Sequence, residues 1–186
     1  MPHGGPSPDE VVVHVLRSLP KAGFDCGREE QTRFLSERAW SDQKAQVSVT
    51  YGYYVGGILV AYATVCMDAI RLGKKERESD VRYSEVGAVK LAQLGVAVPF
   101  QGEGIGKLVV ASVIRLARMV SGHVGCRYVT LDAQPDLVGW YESQGFDRNH
   151  FRQTERILDA LAHGRELERI AVSMRFDLHE SKARAA

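Results

Sequence analysis

A glycine-rich turn between an apolar run and a long apolar helical pattern is the part of the sequence best suited to chemistry. The apolar run is Leu94–Val98, and the turn with the start of the helix is Gln101–Lys107. Glycine has no Cβ, so the backbone N–H groups of such a turn can approach a ligand closely. The first turn of a helix leaves about four N–H groups unpaired, and the helix dipole adds partial positive charge there. This combination predicts a binding site for a phosphate group.

The spacing of the glycines excludes two common phosphate-binding loops. A dinucleotide-binding loop reads Gly-x-Gly-x-x-Gly, and here the third glycine, Gly106, comes one residue early. A P-loop needs a glycine where this chain has Gln101, and a Ser or Thr where it has Leu108. The remaining pattern is Gln-Gly-x-Gly-x-Gly, for which an ordinary tight turn between a strand and a helix is the alternative interpretation.

Two signatures together resemble a known superfamily. Gln101–Gly106 after Leu94–Val98 is similar to the acyl-CoA pyrophosphate loop of the GCN5-related N-acetyltransferases, the GNAT superfamily. Asp132–Pro135 followed by Trp140–Phe146 resembles the tyrosine helix and Gly-Phe turn of the same superfamily. The resemblance covers Val11–Leu178 and implies an α/β (α+β) domain of three layers, with a mixed, mostly antiparallel central sheet and helices on both faces.

The resemblance also implies a reaction, which is transfer of an acetyl group from acetyl-CoA to an amine by direct attack in a ternary complex. It assigns the pantetheine arm to the strand residues Leu94, Gly95, Val96, Ala97 and Val98. The N–H of Val96 would polarise the thioester carbonyl, as an oxyanion donor does. The residues implied for the pyrophosphate are Gln101, Gly102, Glu103, Gly104, Ile105, Gly106 and Lys107. Gln134 stands where members often carry an asparagine that helps to hold the pantetheine.

Tyr141 is the candidate catalytic residue. In the resemblance, this tyrosine protonates the departing CoA thiolate and so acts as a general acid. The alternative interpretation is a core tyrosine that packs between Trp140 and Phe146, since such rings are often partly buried.

The general base is less well defined by the sequence. Glu85 lies just upstream of the cofactor strand and is the candidate, acting directly or through water. Glu103 is expected to face solvent, because a carboxylate pointing into the loop would repel phosphates. Asp132 alternates with Leu131 and is interpreted as structural. A mechanism without a protein base stays open, because an α-amino group has a pKa of about 7.7–8.0, against about 10.4 for lysine.

A narrower resemblance points to the acceptor. The opening of the chain is similar to that of toxin-type members in three places, which are Gly23–Gly27, Phe34-Leu35 and Arg38-Ala39. That resemblance implies acetylation of aminoacyl-tRNA and a small antitoxin partner. The chain departs from that type in Gln134 and in its long 147–168 segment. A formal net charge of only +1 also gives no general attraction to tRNA phosphates.

Hydrophobic periodicity and turn residues predict the elements that must position these side chains. Asp25 is the predicted cap of the first helix. The predicted strands are Val11–Val15, Val47–Tyr51, Ile58–Cys66, Leu91–Val98, Tyr128–Ala133 and Ile170–Leu178. The second and third of these are expected to form a hairpin around Gly56-Gly57. The predicted helices are one that begins near Gly27, then Ile105–Val120, Leu137–Ser143 and Gln153–His163.

Length and composition limit the class of protein. The chain has 186 residues, 45% of them hydrophobic, which suits one globular domain, predicted over 9–178 with flexible tails at 1–8 and 179–186. No apolar run approaches the roughly 20 residues that cross a membrane. Three widely spaced cysteines argue against a disulfide framework and favour the cytoplasm. The scattered histidines and cysteines show no metal-binding spacing, so no metal is expected.

Two further possibilities concern catalysis and assembly. A domain that binds acyl-CoA as a regulatory or interaction module, without turnover, would need the same glycine loop. A homodimer could form through an edge strand such as Ile170–Leu178.

Overall fold

The computed structural model describes residues 10–20, 23–73, 77, 81–149, 159–164 and 171–179. The strands are β1 (Val12–Val15), β2 (Val49–Val55), β3 (Ile58–Arg71), β4 (Glu85–Val96), β5 (Tyr128–Ala133), β6 (Asp147–Arg148) and β7 (Val172–Asp177). The helices are α1 (Glu29–Glu37), α2 (Ala39–Lys44), α3 (Ile105–Val124) and α4 (Val138–Ser143), with short 3-10 turns at Val98–Phe100 and Pro135–Leu137.

The strands form one seven-stranded sheet in the order β1-β2-β3-β4-β5-β7-β6. The pairs β1–β2, β2–β3, β5–β7 and β6–β7 are antiparallel. A mostly antiparallel sheet with helices confirms the predicted α/β fold class. The sheet order corrects one expectation, because β7 lies between β5 and β6 and is therefore not the edge strand proposed for dimer formation.

The chain divides into two compact units. The first unit lies within 1–67 and 91–116, and the second lies within 68–90 and 117–186. The single domain over 9–178 stays a prediction. The predicted tail 1–8 lies outside the described residues, as does the tail 179–186 apart from His179, whose N–H donates to Asp177 Oδ1 at 2.8 Å.

The core of the first unit gathers around Tyr62 on β3. Leu16, Leu35 and Ala39 are buried with it, and Phe24, Phe34 and Leu59 pack against this cluster. Leu35 lies on α1, and Ala39 is the first residue of α2. The predicted cap is wrong, since the residue before α1 is Arg28 and Asp25 Oδ1 instead accepts a hydrogen bond from the N–H of Gly27 at 2.8 Å.

The second unit has a core on each face of its strands. Ile70, Leu72, Ala88 and Tyr128 form one buried cluster. On β5, Val129 and Leu131 face the other side of the sheet from Tyr128. Their partners on β7 are Phe176 and Met174. Alternation of side chains along a strand is the reason that one apolar set can face each side.

Most element predictions agree with the structure to within a few residues. Gly56 and Gly57, with φ of +56° and +81°, close the predicted β2–β3 hairpin. β4 begins at Glu85 rather than Leu91, and α3 continues to Val124. The two-residue β6 was not predicted. Of the predicted helix Gln153–His163, residues 159–162 are helical and 163 is a turn, whereas 153–158 lie outside the described residues.

Within the described part of the chain, no helix has the length and apolar character needed to span a membrane.

Candidate active site

The glycine loop of the first unit leads from β4 into α3. The chain passes through the 3-10 turn at Val98–Phe100 and then through an exposed turn at 101–104. Gly102 and Gly104 have φ of +81° and +82°, a backbone conformation that side chains with a Cβ rarely adopt. A Cβ built on either residue would meet nothing within 4 Å. The two glycines are therefore needed for backbone conformation, and they leave an open surface beside the backbone.

The start of α3 suits an anion. The N–H of Leu108 donates to the carbonyl of Gly104 at 3.2 Å, as the first turn of the helix requires. The N–H groups before it have no acceptor within the helix. The first turn of this 20-residue helix carries no acidic residue, and Lys107 is exposed in it. Glu103 is exposed, as expected. These residues fit a phosphate or diphosphate group.

The side chain of Gln101 contacts the protein itself. Its Nε2 donates to the carbonyl oxygens of Val96 and Cys26, at 2.9 Å in each case. Gln101 was predicted to bind the pyrophosphate, and its contact with Cys26, which is 75 residues away in the chain, was not predicted. No local pattern could have revealed this contact.

The strand residues predicted for the pantetheine arm differ in what they can offer. The N–H of Ala97 donates to Val60 O at 2.8 Å, and the N–H of Val98 donates to Asp25 O at 2.9 Å. Both of these N–H groups are therefore used within the protein, and the assignment of Ala97 and Val98 to the pantetheine arm stays a prediction. Leu94 and Val96 are half-buried at the end of β4, and their roles stay predictions.

Gly95 is a glycine because of packing. A Cβ at this position would lie 2.6 Å from Tyr62 Cε1 and 3.3 Å from Cys26 Sγ. The Tyr62 hydroxyl donates to the carbonyl of Gln31 at 2.7 Å, which holds the ring in place. Burial raises the pKa of Tyr62, so this hydroxyl stays protonated at neutral pH.

Tyr141 lies in the second unit, on α4, and its side chain is buried. Its ring makes edge contacts with Trp140 and Phe146, with ring centroids 4.8 Å and 5.7 Å away. Its carbonyl accepts the N–H groups of Gln144 and Phe146, which closes the turn at Gly145. The packing predicted between Trp140 and Phe146 is thus present, and it fixes the orientation of the ring. The catalytic role of the hydroxyl stays a prediction.

Gln134 precedes this helix in the same unit. It is half-buried directly after β5, and its carbonyl accepts the N–H of Leu137 at 2.9 Å in the 3-10 turn. The structure thus places Gln134 and Tyr141 in the second unit, and Val96 and Gln101–Lys107 in the first.

Two carboxylates of the second unit, those of Glu85 and Asp132, each form an ion pair, and neither is identified as the general base. Glu85 is exposed at the start of β4, whereas Val96 ends that strand, and the Glu85 carboxylate pairs with Arg71 at 3.4 Å. Its position at the opposite end of the strand argues against the predicted role of Glu85 as base. Asp132 Oδ2 accepts from Lys90 Nζ at 2.7 Å, in agreement with the structural interpretation.

A metal site is not indicated in the part of the chain that the structure describes. No group of three or more His, Cys, Asp or Glu side chains there is arranged to hold a metal ion.

Comparison with known families identifies the class of protein. Residues 25–161 match the model of the acetyltransferase (GNAT) domain family. The chain therefore belongs to this family, and the matched region contains both the glycine loop and Tyr141. No curated protein matches the sequence.

Several solved structures share the fold of this chain, and the printed names of some of them describe bacterial toxins. A tyrosine-to-phenylalanine mutant of KacT superimposes with a TM-score of 0.75 at 20% identity, covering 94% of this chain and 98% of that chain. AtaT complexed with acetyl-methionyl-tRNAfMet has a TM-score of 0.73 at 17% identity, covering 95% and 99%. AtaTR bound with AcCoA has a TM-score of 0.70 at 18% identity, covering 96% and 99%. At these identities, the similarity shows the fold.

Proposed function

We propose that the protein transfers an acetyl group from acetyl-CoA to an amine. The observation that carries this proposal is the exposed glycine loop, with two left-handed glycines, before a helix whose first turn has no acidic residue. Such a loop supplies backbone N–H groups and partial positive charge to a diphosphate. Membership of the GNAT family supports acetyl-CoA as the ligand.

The proposed reaction forms one bond and breaks one. A neutral amine attacks the thioester carbonyl, the new C–N bond forms, and the C–S bond breaks to release the CoA thiolate. The backbone N–H of Val96 stabilises the negative charge on the carbonyl oxygen, and one such donor is typically worth about 2.7–4 kcal/mol. Tyr141 gives its proton to the sulfur. The proton lost by the amine passes to water, since the position of Glu85 does not favour it as a base.

The role of Tyr141 is supported by its surroundings. Its ring is held between Trp140 and Phe146, so the hydroxyl has a defined direction. Removal of the hydroxyl in Tyr141→Phe leaves these ring contacts intact. We expect this variant to retain its affinity for acetyl-CoA and to lose tenfold or more in turnover.

The test compares two tyrosines of the same unit. Tyr128 is also buried, but it lies on β5, and the guanidinium carbons of Arg127 and Arg175 are 5.5 Å and 5.7 Å from the centroid of its ring. Steady-state rates and calorimetric titration with acetyl-CoA are measured for wild type, Tyr141→Phe and Tyr128→Phe. Tyr128→Phe should keep wild-type turnover. Equal turnover in wild type and Tyr141→Phe would remove Tyr141 from the mechanism.

We further propose aminoacyl-tRNA as the acceptor. One structure of similar fold is that of AtaT complexed with acetyl-methionyl-tRNAfMet. An aminoacyl group also presents an α-amino group, whose low pKa makes a protein base less necessary. Another similar structure is of an AtaT mutant bound to the C-terminus of the antitoxin AtaR, which supports a small antitoxin as partner. Both proposals place the protein in the cytoplasm.

Labelled acetyl-CoA tests the acceptor class. The protein is incubated with a lysate, which is then separated into small molecules, tRNA and protein. We expect the label in the tRNA fraction, and we expect Tyr141→Phe to reduce it. Label in the protein or small-molecule fraction would reject tRNA but keep the acetyltransferase. Binding of acetyl-CoA with no release of CoA would instead favour a non-catalytic module.

A further inference from the structure

A short segment before α1 is attached to the glycine loop. We call Asp25–Gly27 the Cys26 segment. The N–H of Val98 donates to Asp25 O at 2.9 Å, and Gln101 Nε2 donates to Cys26 O at 2.9 Å. A Cβ on Gly27 would lie 3.4 Å from Val98 Cγ2, so Gly27 lies close to the Val98 side chain. Polar and van der Waals contacts therefore join this segment to the loop that leads into α3.

Gln101 uses both of its N–H donors in this attachment. The second bond runs from Nε2 to Val96 O, also at 2.9 Å. A carboxamide nitrogen carries two hydrogens, and both point to protein carbonyl groups here. The side chain thus has no donor left for a phosphate oxygen, and it links the end of β4 to the Cys26 segment.

Thr32 of α1 holds the other side of the segment. Its Oγ1 accepts the N–H of Cys26 at 3.2 Å and donates to Asp25 Oδ1 at 3.4 Å. The same Asp25 oxygen accepts the N–H of Gly27 at 2.8 Å. A continuous set of hydrogen bonds therefore runs from α1 through the Cys26 segment to Gln101.

The glycine loop needs such support. Residues 101–104 are exposed, and Gly102 and Gly104 offer no side chain for packing. Glycine loses more conformational freedom on ordering than any other residue. A loop that is already ordered before the ligand arrives binds more tightly, because less entropy is lost on binding.

We propose that Gln101 and Thr32 are positioning residues that hold the glycine loop in its phosphate-binding conformation through the Cys26 segment. The inference rests on the proposed function for its effect on acetyl-CoA. It assigns Gln101 a role in loop order rather than in direct contact with the diphosphate, and it gives α1 a part in donor binding.

Two pairs of variants test this proposal. Gln101→Met keeps the length of the side chain without a donor, whereas Gln101→Arg retains donors for the two carbonyl groups. Thr32→Val keeps the shape without the hydroxyl, whereas Thr32→Ser retains it. Ser36→Ala is the control, since this exposed hydroxyl of α1 donates to carbonyls of its own helix, those of Thr32 and Arg33. Calorimetry gives the Kd for CoA, and hydrogen exchange measures loop order without ligand.

We expect Thr32→Val to raise the Kd about three- to tenfold and Gln101→Met to raise it about tenfold or more. Each variant loses two hydrogen bonds, but those of Thr32 are longer, at 3.2 Å and 3.4 Å, and only those of Gln101 start from the loop itself. KM for acetyl-CoA should rise with Kd, while kcat at saturation stays within about twofold. Hydrogen exchange in residues 98–106 should become faster in both variants. Thr32→Ser and Ser36→Ala should behave like wild type, and Gln101→Arg should keep the wild-type rate of exchange in residues 98–106 without ligand.

Two results would overturn the inference. If Gln101→Met weakens binding but Thr32→Val does not, Gln101 contacts the cofactor directly. If neither variant changes exchange in 98–106, the segment does not order the loop. Because the exchange measurement needs no ligand, it decides the inference even if the wild-type protein fails to bind CoA. That last result would reject the proposed function instead.

Discussion

The glycine loop of the first unit and the tyrosine helix of the second unit are built in different ways. The loop is exposed backbone, fastened by hydrogen bonds from Gln101 and Val98 to the Cys26 segment. The tyrosine helix depends on buried aromatic rings, with Phe146 between Tyr141 and Phe176 at centroid distances of 5.7 Å and 5.6 Å. Substitutions in the loop should therefore change mainly ligand affinity, and those in the aromatic cluster should change mainly stability.

Ion pairs reinforce the second unit around that aromatic cluster. Arg127 donates from Nε and from its terminal nitrogen to Asp177 Oδ2, at 3.1 Å and 3.0 Å, and both side chains are largely buried. Arg148 on β6 pairs with Glu142 on α4 at 2.6 Å. The first pair joins the residue before β5 to the last residue of β7, and the second joins β6 to α4. The tyrosine helix is therefore held by β6 as well as by the aromatic cluster.

Phe146→Ala tests the contribution of the aromatic cluster to stability and should have the largest effect on the free energy of unfolding. Phe146 is fully buried, and removal of such a ring typically costs about 3–5 kcal/mol. We expect a loss of this size in the free energy of unfolding, measured by urea denaturation. Phe146→Leu, which fills more of the space, should lose less. A loss below about 1 kcal/mol for the alanine variant would show that packing of this ring does not hold the turn after α4.

Gly95→Ala should be the next largest change, and it lies in the first unit. The added methyl would meet the rigid Tyr62 ring at 2.6 Å, and overpacking of this kind costs about 1–3 kcal/mol. Thermal or urea unfolding measures the loss. Gly139→Ala on α4 is the matched control, because nothing lies within 4 Å of its new Cβ, and alanine there should stabilise the helix by about 0.5–1 kcal/mol. Equal effects of the two substitutions would contradict the packing explanation for Gly95.

Gly102→Ala should cost less, and for a different reason. Its Cβ would meet no neighbour, but φ of +81° is unfavourable for alanine, by about 1–2 kcal/mol. Gly102→Asn should cost less than Gly102→Ala, because asparagine adopts positive φ more readily. Unfolding measurements on the pair separate conformation from contact. If alanine and asparagine cost the same, backbone conformation is not the reason for glycine at this position.

The success of the sequence analysis depended on how far apart the interacting residues lie in the chain. Alternating apolar residues and Gly56-Gly57 predicted the β2–β3 hairpin, since partners in a hairpin are close in sequence. The glycine loop and its helix also follow from neighbouring residues. The bond from Gln101 to Cys26 and the packing of Gly95 on Tyr62 join distant segments, and no local pattern encodes them.

Short secondary-structure elements are a second reason why part of the fold could not be predicted from the sequence. β6 has only two residues, too few for any periodicity, and without it β7 looked like an edge strand. Glu85 was selected because it precedes an apolar run predicted to start at Leu91, whereas the strand itself begins at Glu85. The predicted start of this strand was thus six residues too late, and the role of Glu85 as base stays a prediction.

Glu85→Gln is the smallest expected change and tests whether Glu85 acts as the base. The Glu85–Arg71 pair is 3.4 Å long between two side chains that are 65% and 80% exposed, and exposed pairs of this kind contribute little to stability. We expect turnover within about twofold of wild type from pH 6 to pH 9, because a group that takes no proton from the acceptor leaves the pH–rate profile unchanged. A tenfold loss of kcat/KM, with a shifted acidic limb of that profile, would restore Glu85 as the base. Arg71→Gln separates the two roles, since it removes the same ion pair and leaves the carboxylate in place.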